Sequence, residues 1–233
     1  MTDRIALAAR NNALWCDAVA RSHGVSCRTD DVAWTASTRT PPYYPDAVTL
    51  SPEAGEYDVL ARVDDSDGCS VKDSWARLDL SMEDFARIVV GEWVWLDPSV
   101  PTPGTSSAWQ RLTTPHEMAD WVRAWASDPD AEAILRPSLL AEPGVHVLGA
   151  RASDDPASPV VAGAIVNVTG EVAGLGNLFS RDGDVERAWA AGAAAAREVA
   201  GRIPLVGWEA GASVDAAVAA GCERIGPLSV WLK

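Results

Sequence analysis

Hydrophobic residues recur with two different periods along the chain, and each period predicts a kind of element. Apolar positions spaced three to four residues apart predict a helix over Arg4–His23, which Gly24 ends. A threonine cap and a proline at the first helical position predict a second helix over Pro115–Trp125. Alanine-rich stretches with the same spacing predict helices over Asp184–Val199 and Ser213–Ala220.

Short runs of β-branched and apolar residues predict strands in both halves of the chain. In the second half these runs are Trp109–Leu112, Val145–Ala150, Val160–Val168, Glu171–Ser180, Leu205–Glu209 and Leu228–Leu232. In the first half they are Ala47–Leu50, Tyr57–Val63, Cys69–Leu80 and Glu92–Leu96, with a short helix expected from Ser81 to Val89. Neighbouring strands joined by short turns should be antiparallel, and a strand–helix–strand unit should be a parallel crossover. The predicted fold class is therefore α/β, with a mixed, mostly antiparallel sheet flanked by helices.

The two halves of the chain end in similar segments. Phe85–Leu96 matches Cys222–Leu232 at Arg, Ile, Gly, Val, Trp and Leu positions when one gap is allowed, and each segment follows a predicted short helix. This similarity predicts two tandem copies of one α/β unit. The stretch between them is rich in Pro, Ser and Thr, which is typical of a linker. We therefore expect an N-terminal half over residues 1–97, a linker over residues 98–108 and a C-terminal domain over residues 109–233.

Composition and charge exclude several classes of protein. With 33 acidic and 19 basic residues the net charge is −14, which repels phosphate backbones and anionic lipid surfaces, so we expect neither a nucleic acid nor a membrane as partner. A chain that is 48% hydrophobic has enough apolar residues for a core. The sequence contains no apolar run of about 18 residues and no secretory pattern, so we expect a cytoplasmic protein. The four cysteines are widely spaced and lack nearby histidines, so we expect no metal site.

The order of elements after Trp109, together with the ending Ala219-Ala220-Gly221-Cys222, resembles the GCN5-related N-acetyltransferase (GNAT) superfamily. In that family a small helix ends in Gly-Phe before the last strands; here Gly221 matches and Cys222 replaces the Phe. The segment Gly174–Ser180 is similar to the family's fourth strand, which splays from the fifth and hydrogen-bonds the pantetheine arm of acetyl-CoA. The chain as a whole resembles an actinobacterial tandem type of this family. The resemblance implies an acyl-CoA N-acyltransferase fold with acetyl-CoA as acyl donor.

The resemblance also implies a set of cofactor-binding residues, which are Leu178, Phe179, Ser180, Arg181 and Gly183. The physical basis of the family's phosphate loop is a helix N-terminus whose free N–H groups bind the pyrophosphate, with glycines that allow close approach. In this chain the loop has Arg181 and Gly183 but lacks the second glycine of the family pattern. Carboxylates occur there instead, at Asp182, Asp184 and Glu186. Such acids stabilise a helix N-terminus, whereas they oppose a bound phosphate.

Two residues are candidates for catalysis. Glu209, at the end of a predicted strand, could act as a general base that deprotonates an amine through water; the alternative is an exposed acid at a strand end. Asn177 could position the substrate; the alternative is a strand residue that bonds a neighbouring loop. Many family members use a Tyr four residues before the glycine as a general acid, and this position is Ala217 here.

These observations leave three functions open. The first is an acetyl-CoA-dependent N-acetyltransferase that acts on an amine, either a small molecule or a peptide. The second is a catalytically degenerate GNAT fold that binds a ligand or a protein. The third is a homo-oligomeric interaction module built on Trp-rich strands such as Glu92–Leu96.

Overall fold

A computed structural model describes residues 3–102, 109–126, 129–153, 155 and 157–233, so residues 103–108 of the predicted linker lie outside the described residues. The chain divides into two compact units. The first unit contains Met1–Trp93 and Ile225–Lys233, and the second contains Val94–Arg224. This division differs from the halves expected from the sequence because the end of the chain belongs to the first unit. Within the described ranges, no helix is both long enough and apolar enough to cross a membrane.

The first unit begins with a helix whose N-terminus is capped by Asp3, which accepts hydrogen bonds from the backbone N–H groups of Ile5 and Ala6. Its elements are α1 (Arg4–Ser22), β1 (Cys27–Thr29), β2 (Ala33–Ala36), β3 (Ala47–Thr49), α2 (Glu56–Leu60), β4 (Ser70–Asp73), a 3-10 turn (Ser81–Glu83) and β5 (Ala86–Leu96). Strands β1, β2 and β3 pair antiparallel, and β4 pairs parallel with β3.

The second unit follows the same plan with longer elements. Its elements are β6 (Trp109–Arg111), α3 (Pro115–Trp125), 3-10 turns (Ala131–Ala133, Pro137–Ala141), β7 (Val145–Arg151), β8 (Val160–Val168), β9 (Ala173–Ser180), α4 (Val185–Ala200), β10 (Leu205–Glu209) and α5 (Ala212–Ala219). The last strand, β11 (Glu223–Leu232), begins in this unit, and its residues from Ile225 onward belong to the first unit. Strands β6 to β9 pair antiparallel in sequence order, and β10 pairs parallel with β9.

Apart from β6, the two halves of the chain share one order of elements. A helix is followed by three antiparallel strands, a helix, a strand parallel to the third strand, a helical turn or short helix, and a long final strand. The mixed, mostly antiparallel sheet expected from the sequence is therefore confirmed. The repeated order supports the expected pair of tandem copies.

The final strand of each half contributes residues to the unit formed by the other half. In the first unit, the end of β11 pairs antiparallel with β4, so that Ser229 lies opposite Asp73 and Leu232 lies opposite Ser70. In the second unit, the last residues of β5 are buried in the core, where Val94 and Leu96 are 1% and 0% exposed. Each unit is thus completed by a segment that is distant in sequence.

Tryptophan supplies much of the core volume in both units. Trp34 and Trp93 are fully buried in the first unit, and Trp121 and Trp189 are fully buried in the second. The Trp93 indole N–H donates to the Ser74 carbonyl oxygen at 2.8 Å, and the Trp121 indole N–H donates to the Leu148 carbonyl oxygen at 2.8 Å. These bonds satisfy the polar atom of a ring that is otherwise buried in apolar surroundings.

The sequence interpretation was wrong in three places in the first half. The predicted strand Tyr57–Val63 is helix α2, because Gly55 begins it and the Asp58 carboxylate accepts a hydrogen bond from the Gly55 N–H at 3.1 Å. The predicted helix from Ser81 to Val89 is a single 3-10 turn, because Asp84 adopts a left-handed conformation (φ 64°) that ends it. The predicted strand Cys69–Leu80 is limited to β4, and the strands β1 and β2 were not predicted.

Candidate functional site

The second unit contains an open wedge between β9 and β10. Their register pairs are Leu205 with Ala173 and Val206 with Gly174. The two strands then continue to Ser180 and Glu209 with no further pairs in this stretch, all of which the structure describes. The backbone groups of Leu178 and Ser180 therefore face the opening on the side of β9 away from β8, where an extended ligand can pair with a strand.

A β-bulge in β9 lies beside this opening. Gly163 of β8 is opposite Phe179, whereas Ile165 is opposite Gly176, so Asn177 and Leu178 together face one residue of β8. Asn177 adopts φ 50°, a left-handed conformation that Asn tolerates better than most residues. The bulge turns the backbone of β9 locally and places Asn177 at the edge of the wedge. The sequence predicted Asn177 as a site residue, and its backbone conformation could not be foreseen from the strand pattern.

Glu209 ends β10 on the other side of the opening. Its side chain is partly buried, and this burial raises its pKa from 4.5 to about 7. Burial is the first cause of the shift, while the nearby Trp189 indole opposes it. A carboxyl group with a pKa close to neutral pH can both accept and release a proton under physiological conditions.

Two other buried side chains lie near Glu209. The Trp189 ring on α4 packs over Gly207, where an added Cβ atom would lie 3.5 Å from the ring. The Trp189 Nε1 atom is buried and makes no hydrogen bond of normal geometry. Cys222, which is 6% exposed, has its pKa raised to about 12 by burial and then by the negative charge of Glu209. Its thiol is therefore protonated at neutral pH and is not a nucleophile.

No protein-family model and no curated protein matches the sequence, but several solved structures share this architecture. A functionally unknown conserved protein from Staphylococcus epidermidis superposes with a TM-score of 0.55 at 11% identity, covering 88% of this chain and 92% of its own. A putative GNAT-family acetyltransferase from Novosphingobium aromaticivorans gives a TM-score of 0.53 at 12% identity and covers 96% and 97%. A tandem GNAT protein from the clavulanic acid biosynthesis pathway gives 0.52 at 11% identity and covers 100% and 96%. The chain has the GNAT fold.

Within the GNAT fold, the splayed β9–β10 wedge is where the resemblance places the pantetheine arm of acetyl-CoA. The backbone groups of Leu178 and Ser180 face away from β8, whereas Phe179 pairs with Gly163 of β8, and the roles of these residues toward a cofactor stay predictions. These residues are partly exposed, so a ligand can reach them. The residues present therefore fit an extended acyl-pantetheine arm.

The loop before α4 does not fit the diphosphate of the same molecule. The Asp184 carboxylate caps α4 by accepting the Arg187 N–H at 2.9 Å. The Asp182 carboxylate accepts the Asp184 N–H at 3.1 Å and the Ser180 hydroxyl at 2.6 Å. The Arg187 guanidinium pairs with both carboxylates. Two N–H groups at the start of α4, those of Asp184 and Arg187, and the Arg187 guanidinium are therefore bound by the protein's own acids.

Arg181 and Gly183 are the remaining predicted residues of this loop. Arg181 donates to the Ala124 carbonyl oxygen at 3.3 Å. Gly183 adopts φ 76°, and no atom lies within 4 Å of the position that a Cβ atom would take. The roles of Arg181 and Gly183 toward a cofactor stay predictions.

The GNAT-like pair Gly221 and Cys222 ends helix α5. Gly221 has φ 98° and follows the helix, and the Cys222 N–H donates back to the Ala217 carbonyl oxygen at 3.0 Å. Many family members carry a general-acid Tyr at the position of Ala217. In this chain Ala217 is fully buried and is part of the hydrophobic core. Every Tyr of the chain lies before residue 58, which leaves the second unit without a phenol donor.

The corresponding position in the first unit is closed. Strand β3 pairs with β4 at Ala47–Val71 and Val48–Lys72. Immediately beyond, the Ser74 N–H donates to the Thr49 hydroxyl and the Ser74 hydroxyl donates to the Thr49 carbonyl oxygen, both at 2.8 Å and both buried. These bonds bridge the gap that stays open in the second unit. Among the described residues there is also no cluster of His, Cys, Asp and Glu that could hold a metal ion.

Proposed function

We propose that the second unit is an N-acyltransferase, which transfers an acyl group from a thioester of the acetyl-CoA type to an amine. The observation that carries this proposal is a partly buried carboxyl group, Glu209, with a pKa of about 7 at the mouth of a splayed β9–β10 wedge. A general base works best when its pKa lies near the operating pH. The GNAT fold supports the reaction class by analogy only, because one fold can host many functions.

In this proposal Glu209 takes a proton from the attacking ammonium group through a water molecule, so that the neutral amine can attack the thioester carbonyl carbon. The nitrogen forms an amide bond to the acyl carbon as the carbon–sulfur bond breaks, the sulfur leaves as a thiolate, and the second proton of the nitrogen passes through solvent to that thiolate, which gives the free thiol. A thiolate is a good leaving group at neutral pH, so the reaction does not require the phenol that Ala217 replaces. Glu209 then returns its proton to solvent.

The other predicted residues hold the donor and orient it. The backbone groups of Leu178 and Ser180 bind the extended arm of the thioester, Phe179 between them pairs with β8, and Asn177 shapes the bulge beside the thioester carbonyl group. The acceptor is an amine on a small molecule or a peptide. The net charge of −14 favours the approach of a cationic amine. A cytoplasmic location and a second copy of the chain as partner stay predictions.

The test is the release of free thiol from acetyl-CoA in the presence of a panel of amines. We expect one class of amine to give saturable release that Glu209→Gln lowers by about 100-fold or more, the usual range for loss of a general base. The matched control is Glu171→Gln, because Glu171 is an exposed carboxylate in the same unit. The proposal fails if no amine gives release, or if Glu209→Gln has the activity of the control.

A catalytically degenerate module is the second candidate, and the buried Ala217 together with the self-capped α4 loop favours it. Calorimetry separates the two candidates. Binding of a thioester or an amine without any turnover supports the degenerate module, whereas amine-dependent thiol release supports the enzyme.

A further inference from the structure

The loop from Ser180 to Arg187 uses its own acids to bind two of its backbone N–H groups and one of its cations. The Asp182 and Asp184 carboxylates accept backbone N–H groups at the start of α4, and both pair with the Arg187 guanidinium. An incoming diphosphate would have to displace these bonds and would then lie beside two carboxylates that cannot leave the loop. Because like charges repel, the loop selects against the part of a donor that is most negative.

The wedge between β9 and β10 has the opposite character. It offers backbone groups on Leu178 and Ser180 and a partly buried carboxyl group at Glu209, and no acid lies on β9 itself. A neutral, extended chain with amide groups suits such a strand edge, because each amide can replace the missing strand partner. The acyl-pantetheine arm is a chain of this kind.

We propose that this protein holds its donor by the acyl-pantetheine arm alone, so that phosphate-free pantetheine thioesters serve as donors as well as acetyl-CoA does. This inference rests on the proposed acyl transfer and adds the chemical class of the donor. The α4 loop is then a closed cap on the helix, and its acids exclude a tightly bound diphosphate.

The test compares acetyl-CoA with S-acetylpantetheine, by calorimetry and by initial rates with the same amine at low salt. We expect kcat/KM and Kd for the two donors to agree within about threefold. In the variant Asp182→Asn/Asp184→Asn, each amide oxygen can still accept the N–H bonds of the loop while the charge is lost. We expect this variant to bind acetyl-CoA about tenfold more tightly than the unchanged protein does, and S-acetylpantetheine equally well.

The control variant is Asp215→Asn/Glu132→Gln, which removes two charges from exposed positions of the same unit. We expect this control to leave the affinity for both donors unchanged. That result would assign the effect of the loop variant to the loop rather than to the net charge of the protein. The inference is overturned if acetyl-CoA binds at least about tenfold more tightly than S-acetylpantetheine and this preference weakens as salt is added. Such a salt dependence is the mark of contacts between the protein and the phosphates of the donor. If neither thioester binds or reacts, the proposed acyl transfer fails as well.

Discussion

Glu209→Gln should raise the stability of the folded protein near and above pH 7, and it should lower the activity. The folded protein raises the pKa of Glu209 from 4.5 to about 7, because its buried surroundings penalise the charged form. The folded state therefore holds a proton that the unfolded state has already lost, and stability falls as pH rises from about 4.5 to about 7. The full cost of ionising this group in the folded protein is about 3 kcal/mol above pH 7, taking the shift as about 2.5 units at 1.36 kcal/mol each.

Urea unfolding at several pH values measures this cost. Between about pH 5.5 and about pH 8.5, the free energy of unfolding should fall by about 2 kcal/mol more in the unchanged protein than in Glu209→Gln. The exposed Glu171→Gln should follow the unchanged protein across the same range. If the difference in unfolding free energy between Glu209→Gln and the unchanged protein does not depend on pH, then Glu209 does not titrate near neutral pH, and it is not poised as a general base.

Three other changes test the site and its support. Asn177→Gly should keep the bulge and most of the activity. Asn177→Val should lose about 1–2 kcal/mol of stability because a β-branched residue is strained at φ 50°. A large loss of activity in the Gly variant would instead assign a role to the amide side chain. Trp189→Phe removes the N–H that opposes the rise in the Glu209 pKa, so the pH–rate midpoint should move up by less than about one unit; an unchanged midpoint would contradict the placement of Trp189. Gly163→Ala should cost about 1–3 kcal/mol in thermal unfolding because the added Cβ would overlap the Trp121 ring, while Gly176→Ala, which has open space around it, should cost less.

The second unit could be predicted well from the sequence because its elements are long and regular. Helices α3 and α4 were predicted within a few residues because each has a regular hydrophobic spacing and a clear cap. Strands β7 and β8 were predicted equally well because each is a long apolar run. The first unit could not be predicted to the same degree because its elements are short. Helix α2 spans Glu56–Leu60, and its start depends on the contact between Gly55 and Asp58 rather than on any periodic pattern.

The sequence indicated candidate residues for the site but not their geometry. Glu209 stood out as an acid at a strand end, yet its raised pKa depends on burial in the folded chain. The splay of β9 from β10 and the closure of the first unit by Thr49 and Ser74 depend on register, which one-dimensional patterns do not fix. The acids of the α4 loop were visible in the sequence, and their hydrogen bonds to the helix N-terminus became visible only in three dimensions.

The exchange of final strands has a consequence for how the chain folds during synthesis. The first unit needs Ile225–Lys233 to pair with β4, so Met1–Trp93 cannot reach its native sheet when it first emerges from the ribosome. The second unit holds Val94–Leu96 from early in synthesis and can close first. The β4 edge therefore stays unpaired, a state exposed to aggregation, until Ile225–Lys233 have been translated. Completion of the first unit thus depends on a segment that is translated only after the whole of the second unit.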